Sequence, residues 1–339
     1  MAHRLSNMTV VLDNPPTLKY YASVVGKTEG NGPMGRYFDE TESDEHFGKD
    51  TWEQAESELL RRAVARVLTK ASIESGTLDC IVAGDLLNQC TGSTFALKDF
   101  GAPVLGVYGA CSTMAESLLI ASIMTEAGAG GNIVAATSSH FCSAERQFRS
   151  PMAYGGQRTP TAQHTCTAAG AVIVAPSSSA PFVRAVTVGR PTDMGVTDAN
   201  NMGAAMAPAA CDTIKTFLND THTKPEDYDY IVTGDLGKVG SEILCTLMAQ
   251  EGFDIERRHR DCGLMMFDDD AQDTHAGGSG CGCSASILCG YFLDRIKHGE
   301  IRNILFAATG ALMSPTSSQQ GESIPSISHL LHISKKKED

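Results

Sequence analysis

The feature that most constrains the fold is an internal duplication. The run LDCIVAGDL, Leu78 to Leu86, returns as YDYIVTGDL, Tyr228 to Leu236, with Ile81 and Ile231 separated by 150 residues. A helical pattern precedes each copy: TWEQAESELLRRAVARVLTKA in the first half and GAAMAPAACDTIKTFLND in the second. After each copy come a small-residue loop, a helix opening at a cysteine, and an apolar strand, NIVAAT from Asn132 and NILFAAT from Asn303. That last offset is 171, so the second half holds about 21 further residues, assigned to the acidic and irregular stretch between Gln250 and Gly277. Strand-like segments, AGAVIVAP and SISHLLHIS, close the halves, and APSSSAP, Ala175 to Pro181, joins them. The expected boundaries are 1–176 for the first half and 181–339 for the second. Short β-branched runs alternating with helical patterns imply α/β units around mostly parallel, buried strands.

Composition narrows the function classes. A chain of 339 residues that is 42% hydrophobic has ample material for a large core. With 27 Lys+Arg against 40 Asp+Glu and a formal charge of −13, it lacks the basic face of a nucleic-acid binder. The same balance argues against simple electrostatic adhesion to anionic lipid. No signal peptide is read in MAHRLSNMTVVLDNPP, and no apolar run approaches the length of a membrane span. The 11 cysteines, several inside apolar runs, read as reduced thiols of a cytosol-like compartment.

One cysteine stands apart. In VYGACSTMAESLLIASIMTEAG, Cys111 follows a small-residue elbow and opens a helix that is apolar on nearly every face, hence buried. That is how a nucleophile is presented. Two copied α/β halves with a cysteine nucleophile on a buried helix resemble the thiolase-like family, which includes thiolases and ketoacyl synthases. The resemblance runs from about Asn14 to Ser334. It implies an α/β thiolase-like fold of two duplicated halves, layered α-β-α-β-α, with pseudo-two-fold symmetry. The YGACSTMAES elbow, the SSHFCSAERQFRSPMAYGGQRTPTAQHT loop and the HAGGSGCGCSAS turn are similar to a non-condensing sporulation branch of that family in spore-forming bacteria. The branch is associated with uptake of pyridine-2,6-dicarboxylic acid (dipicolinic acid) into the developing spore. It acts with membrane proteins of the stage V sporulation A operon.

Catalysis in this family needs more than the cysteine. The resemblance implies a histidine just after the strand matching IVTGDLG, and a histidine or asparagine in the turn matching GCGCSAS. Here the first position falls at Gly234 or Asp235 and the second at Cys281. Both polar partners are therefore expected to be missing. The loss of general acid–base help, typically ~10²–10⁴-fold, argues against efficient turnover. Cys111 then reads as vestigial or merely acyl-accepting.

Substitutes are available in the sequence. His140 ends the strand NIVAATSSH and is a candidate partner for Cys111; the plain alternative is a hydrogen-bonded strand-end histidine. His275 precedes the glycine-rich turn and His164 lies in the segment after the long loop; both also read as ordinary loop residues. Cys281 and Cys283, with His275, lack zinc-site spacing, so no metal is expected. A disulfide from Cys111 to either cysteine would be a redox accident in a reducing compartment. GGSGCG is a backbone cradle for an anion only if the fold sets it opposite Cys111. DDDAQD, Asp268 to Asp273, invites a calcium reading, since dipicolinate accumulates as a calcium chelate. It lacks the glycine and terminal glutamate of an EF-hand, and like DETESDEH from Asp39 it reads as a solvated acidic stretch.

A planar dicarboxylate needs directed donors. Arg146, Arg149 and Arg158 crowd the loop after the His140 strand, and Lys238 follows TGDLG. Tyr154 and Phe141 offer aromatic walls. Three functions follow, in order: a dipicolinate-binding protein of the forespore, held at the inner membrane through partners; a Cys111-dependent acyltransferase; and a structural adaptor with a relic pocket. The fold family also leads us to expect a homodimer.

Overall fold

The computed structural model describes residues 2–148, 158–176 and 178–337. Ten strands carry the architecture: β1 (Thr17–Val25), β2 (Cys80–Gly84), β3 (Val104–Gly106), β4 (Ile133–Ser139), β5 (Ala168–Ala175), β6 (Phe182–Thr187), β7 (Tyr230–Thr233), β8 (His259–Asp261), β9 (Asn303–Ala311) and β10 (Ser326–Ser334). The path β8-β7-β9-β10-β6-β1-β5-β4-β2-β3 is a palindrome of two five-stranded halves. In each, the run containing GDL lies parallel to its neighbours, β2 between β3 and β4, and β7 between β8 and β9. In that path β1 and β6 pair at one register position, Thr17 with Phe182.

Seven helices position the site: α1 (Trp52–Ala71), α2 (Thr91–Leu97), α3 (Thr113–Glu126), α4 (Phe141–Phe148), α5 (Met202–Thr221), α6 (Gly237–Gln250) and α7 (Cys281–Ile287). The repeat survives in detail. Helices α1 and α5 begin and end 150 residues apart. A side-chain cap starts each, Thr51 accepting from Gln54 N–H and Asn201 from Ala204 N–H, which satisfies an otherwise orphan donor. Each stops at a left-handed residue, Ser72 or His222.

Three apolar clusters define five layers. Helices α1 and α2 cover the outer face of the first sheet through Leu59, Val64 and Leu97. Helices α5 and α6 cover the second through Ile214, Phe217 and Leu244. Between the sheets, Met114 and Leu118 of α3 and Ile287 of α7 pack with Val82 and Val172 of one sheet and Phe306 and Leu331 of the other. Truncating a side chain such as Leu118, with no exposed surface, costs about 2–5 kcal/mol. A helix so enclosed must be apolar all round, which is the pattern its sequence carries.

Three features differ from the sequence reading. Residues His3–Val11 form a hairpin whose second strand, Thr9–Val11, pairs with Ala185–Thr187, so the chain start docks on the second half. DETESDEH is an ion-paired strap rather than a solvated stretch: Asp39 meets Lys70, Glu40 meets Arg62 and Arg66, and Glu42 meets Arg62. The stretch between Gln250 and Gly277, read as irregular, holds β8 and two short helices, Cys262–Met266 and Asp269–Gln272. A three-residue strand with the polar sequence HRD gives no alternation signal, and its pairing with β7 is what creates it.

Candidate functional site

Cys111 sits in a tight turn, Ala110–Ser112, that leads into α3. Ala110 has φ of +50°, a left-handed conformation that costs a non-glycine residue energy and is held by its surroundings. The turn is pinned from within: Ser112 Oγ donates to Gly109 O at 2.6 Å and Thr113 Oγ1 to Ala110 O at 2.6 Å. It is also pinned from below by Gly310 of β9, where a Cβ would lie 1.9 Å from Gly109 O. The expected elbow is present, and its side chain is buried at 9% exposure.

The group facing the thiol is Asp235, at the end of β7. Its carboxyl is fully buried and close enough to Cys111 for each to perturb the other, and its Oδ1 has no hydrogen-bond partner among the described residues. Oδ2 accepts from Gly280 N–H at 2.7 Å and from Ser279 Oγ at 3.3 Å. The turn that presents Asp235 is itself held. Asp261 of β8 accepts from Thr233 Oγ1, Leu236 N–H, Gly237 N–H and Leu264 N–H, and Gln163 Nε2 donates to Asp235 O at 2.7 Å. Burial lifts Asp235 to about 7, against the lowering effect of the thiol and Gly280 N–H. Burial first, and then the Asp235 charge, push the Cys111 thiol well above its ordinary value. Beneath it, Cys281 is fully buried, donates to Ser138 O at 3.0 Å, and is raised by burial and by the charges of Glu56, Asp85 and Asp235. Glu56 and Asp85 are themselves raised by burial. The groups packed around the thiol are thus acids and thiols that burial holds toward their protonated forms. They favour neutral forms and work against a thiolate or an oxyanion.

A cavity of about 60 Å³ opens above Cys111, walled by Leu86, Ala144, Phe148, Met206 and Met313, with Glu145 and Thr165 as polar lining. That is roughly two waters' share of liquid volume. Helix α4 forms one wall and is latched to its neighbours. Gln147 Nε2 donates to Leu86 O, Asn88 N–H donates to Gln147 Oε1, and Ser143 bonds Glu56.

The other candidates scatter. His140 is not a partner of Cys111: Nδ1 accepts from Cys142 N–H at 3.2 Å, so Nε2–H donates to Glu45 O at 2.8 Å. Both ring nitrogens are committed, and burial lowers its pKa. Arg146 is exposed and paired with Glu53. Arg158, half-buried, is the cation set against the cavity wall. Its Nη2 is 3.8 Å from Glu145, Nη1 donates to His164 Nδ1 at 3.0 Å, and the guanidinium lies 4.9 Å from the Phe141 ring. Phe141 in turn stacks on His164 at 4.3 Å. Lys238 is exposed, and its backbone N–H donates to Ala276 O. His275 lies in a left-handed turn, its Nε2 3.6 Å from Asp273. Cys283 does not line the cavity; it is buried in the central core cluster that also holds Cys166. Arg149 and Tyr154 lie outside the described residues. Among the described residues every cysteine is free, and no three His, Cys, Asp or Glu side chains gather as a metal site.

Asp235 is the residue beside Cys111 that motif reasoning passed over. Its signal was present: GDL occurs in both copies, and an acid repeated at the end of two apolar strands is a buried acid.

The model of the stage V sporulation protein AD family matches residues 6–334. Stage V sporulation protein AD of Bacillus subtilis (strain 168) is 40% identical over 321 residues, 95% of each chain. Among solved structures, 3-oxoacyl-[acyl-carrier-protein] synthase III of Aquifex aeolicus VF5 aligns over 94% of this chain and 99% of its own, with a TM-score of 0.58 and 14% identity. OleA of Xanthomonas campestris aligns over 97% and 100%, with a TM-score of 0.60 and 14% identity. These two likenesses establish the thiolase-like fold.

Proposed function

The chain belongs to the stage V sporulation protein AD family of sporulation proteins, and from that premise we propose that it binds dipicolinic acid without chemistry and assists its passage into the spore. The observation that carries this reading is the burial of the Cys111 thiol beside the buried Asp235 carboxyl. A nucleophile held protonated by a buried carboxyl, with His140 committed elsewhere, has no route to the thiolate that condensation needs. What the elbow retains is a shaped, largely apolar cavity with a guanidinium at its edge.

In this reading Arg158 meets one ligand carboxylate as a planar fork, and the pyridine ring takes the apolar wall. The cavity is smaller than that ring, so binding includes an outward movement of α4, the wall that side chains latch to its neighbours. A dianion tolerates the acids behind Cys111 while Asp235 carries its proton. Affinity therefore falls as pH rises through about 7. The described residues include no helix long and apolar enough to cross a membrane, so transport would run through membrane partners of the stage V sporulation A group. A second copy of the chain is the expected partner at β3. This strand ends the sheet path, and it and its flanks expose Val104, Leu105, Tyr108 and Phe95, an unprotected apolar edge suited to pairing across a two-fold axis.

Calorimetric titration of dipicolinic acid tests the reading. Saturable binding should survive Cys111→Ala and weaken about tenfold or more in Arg158→Ala, the usual cost of a lost charged hydrogen bond. Absence of binding at millimolar ligand would overturn the ligand. Stable transfer of an acyl group from a thioester to Cys111, seen as a mass increase, would favour the acyltransferase reading instead.

A further inference from the structure

Where the parallel strands of the second half begin, the chain presents a face of rings and cations. Its spine is a row of aromatic contacts: Tyr37 meets Tyr291 at 5.1 Å, Tyr291 meets Phe292 at 5.1 Å, and Phe292 meets Tyr230 at 6.4 Å between centroids. Phe292 is buried, while the three tyrosines are half-buried and reach the surface. A guanidinium lies over each tyrosine: Arg36 at 4.8 Å from the Tyr37 ring, Arg295 at 4.3 Å from Tyr291, and Arg260 at 4.8 Å from Tyr230. Two of these cations converge on one phenol, Arg36 Nη2 donating to Tyr37 Oη at 2.6 Å and Arg295 Nη2 at 3.3 Å. Stacking on ring faces offsets the repulsion of holding them side by side.

Lysines extend this face. The helical segment Leu293–His298 closes on Arg295, Lys297 and His298. Lys335, the first residue after β10, donates through Nζ to Lys297 O and through its N–H to Arg302 O at 2.7 Å, which sets the run Lys335–Lys337 alongside. Three acids are interleaved, and each is taken up: Asp229 lies 2.7 Å from Arg302, Asp294 lies 3.3 Å from His298, and Glu300 pairs with Arg295. Arg36, Lys297, Lys336 and Lys337 are exposed and have no carboxylate partner among the described residues. The formal charge of −13 does not cancel such a face. At about 0.1 M salt, charges more than about 10 Å apart are largely screened, so each face acts by its own charge.

We propose that this face docks the protein directly on an anionic bilayer, with the guanidinium and ammonium groups on lipid phosphates and the tyrosine rings at headgroup level. The cations come from separate stretches of the chain. None of them lines the cavity at Cys111 or the clefts of about 490 and 560 Å³ elsewhere in the molecule. A spread array of this kind suits many phosphates rather than one soluble anion. An acidic protein segment would answer the charges alone. Tyrosine rings, apolar in the body and polar at the tip, suit a boundary that is apolar on one side and wet on the other. The lipid contact is made by this chain itself and does not depend on membrane partners or on the ligand at Cys111. Asp235 follows the far end of β7, so a bilayer seated at the start of that strand leaves the end of the molecule that holds Asp235 free.

The test is sedimentation of the full chain with vesicles of phosphatidylglycerol mixed with phosphatidylcholine, and with vesicles of phosphatidylcholine alone. The expected result is binding to the anionic vesicles only, lost at about 1 M salt, where the screening length is about 3 Å. A cation at such a surface contributes about fivefold to partitioning. Arg36→Gln should therefore weaken binding about fivefold, and Lys336→Gln combined with Lys337→Gln about 20-fold or more. These side chains are exposed, so the melting temperature of both variants should match that of the parent, which reports that they fold. No binding to anionic vesicles at low salt overturns the proposal. So does equal binding to phosphatidylcholine alone, or binding that survives the double lysine variant. Capture of a polyglutamate peptide without binding to vesicles would assign the face to an acidic protein segment and overturn it as well.

Discussion

Replacing Asp235 by Asn removes a charge from beside Cys111 while keeping a side chain of the same shape with a carbonyl acceptor for Gly280 N–H. If the charge helps to hold the thiol protonated, the substitution must lower the thiol's pKa. Two unit charges about 4 Å apart at an effective dielectric of about 20 interact by about 4 kcal/mol. At about 1.4 kcal/mol per pKa unit, the thiol should fall by up to about 3 units, with burial still holding it up. The assay is the pH dependence of Cys111 alkylation by iodoacetamide, followed by peptide mass, with the partly exposed Cys90 and Cys142 as internal references. The pH profile is the readout, because burial limits the absolute rate in both proteins. Wild-type Cys111 should stay nearly inert up to about pH 9, and the variant should react up to about 10³-fold faster at about pH 8, in proportion to its thiolate fraction. Superimposable profiles would show that Asp235 does not govern the thiol. A wild-type thiol that titrates near neutrality would refute the reasoning altogether and reopen the acyltransferase reading.

Other consequences are as direct. Gly310→Ala sets a Cβ against Gly109 O and should displace the elbow, costing about 1–3 kcal/mol or more by overpacking and abolishing dipicolinate binding, checked by denaturant titration and calorimetry. Leu105→Asp places a charge on the exposed edge strand and should yield a folded monomer by light scattering; a dimer that persists would remove β3 from the interface. Glu29, at 1% exposure, is raised by burial to about 7, above its unfolded value. Its neutral form is the one the fold prefers, so its contribution to stability is full below the unfolded pKa and is lost as pH rises through about 7. Wild-type melting temperature should therefore fall across that range, and Glu29→Gln should lessen the fall; parallel curves for the two proteins would exclude Glu29 as a cause.

The layers were legible because their signals are local. Apolar β-branched runs, a helix apolar all round and a repeated GDL announce parallel strands, a buried helix and a duplicated half without any knowledge of contacts. The site was less legible because its partners meet only after the halves pack. Nothing near His140 in the chain says that Glu45 will take its ring N–H, and nothing near Cys111 names the acid that will face it. The two copies of that acid show how a symmetric fold comes to hold one site. In the first half, Asp85 is satisfied close by: Oδ1 accepts from Leu87 N–H at 2.7 Å, and Oδ2 from Ser93 N–H at 2.6 Å and Ser93 Oγ at 2.5 Å. In the second half the residue 150 positions after Ser93 is Ile243, which has no hydroxyl to offer, and Asp261 has taken the N–H groups of Leu236 and Gly237. Asp235 is left to take Gly280 N–H and Ser279 Oγ from the turn before α7, with Oδ1 unpartnered among the described residues, and comes to lie beside Cys111 of the other half. One serine-to-isoleucine difference between the copies, with one acid supplied by strand β8, accounts for a local cap in one half and a carboxyl beside the thiol in the other.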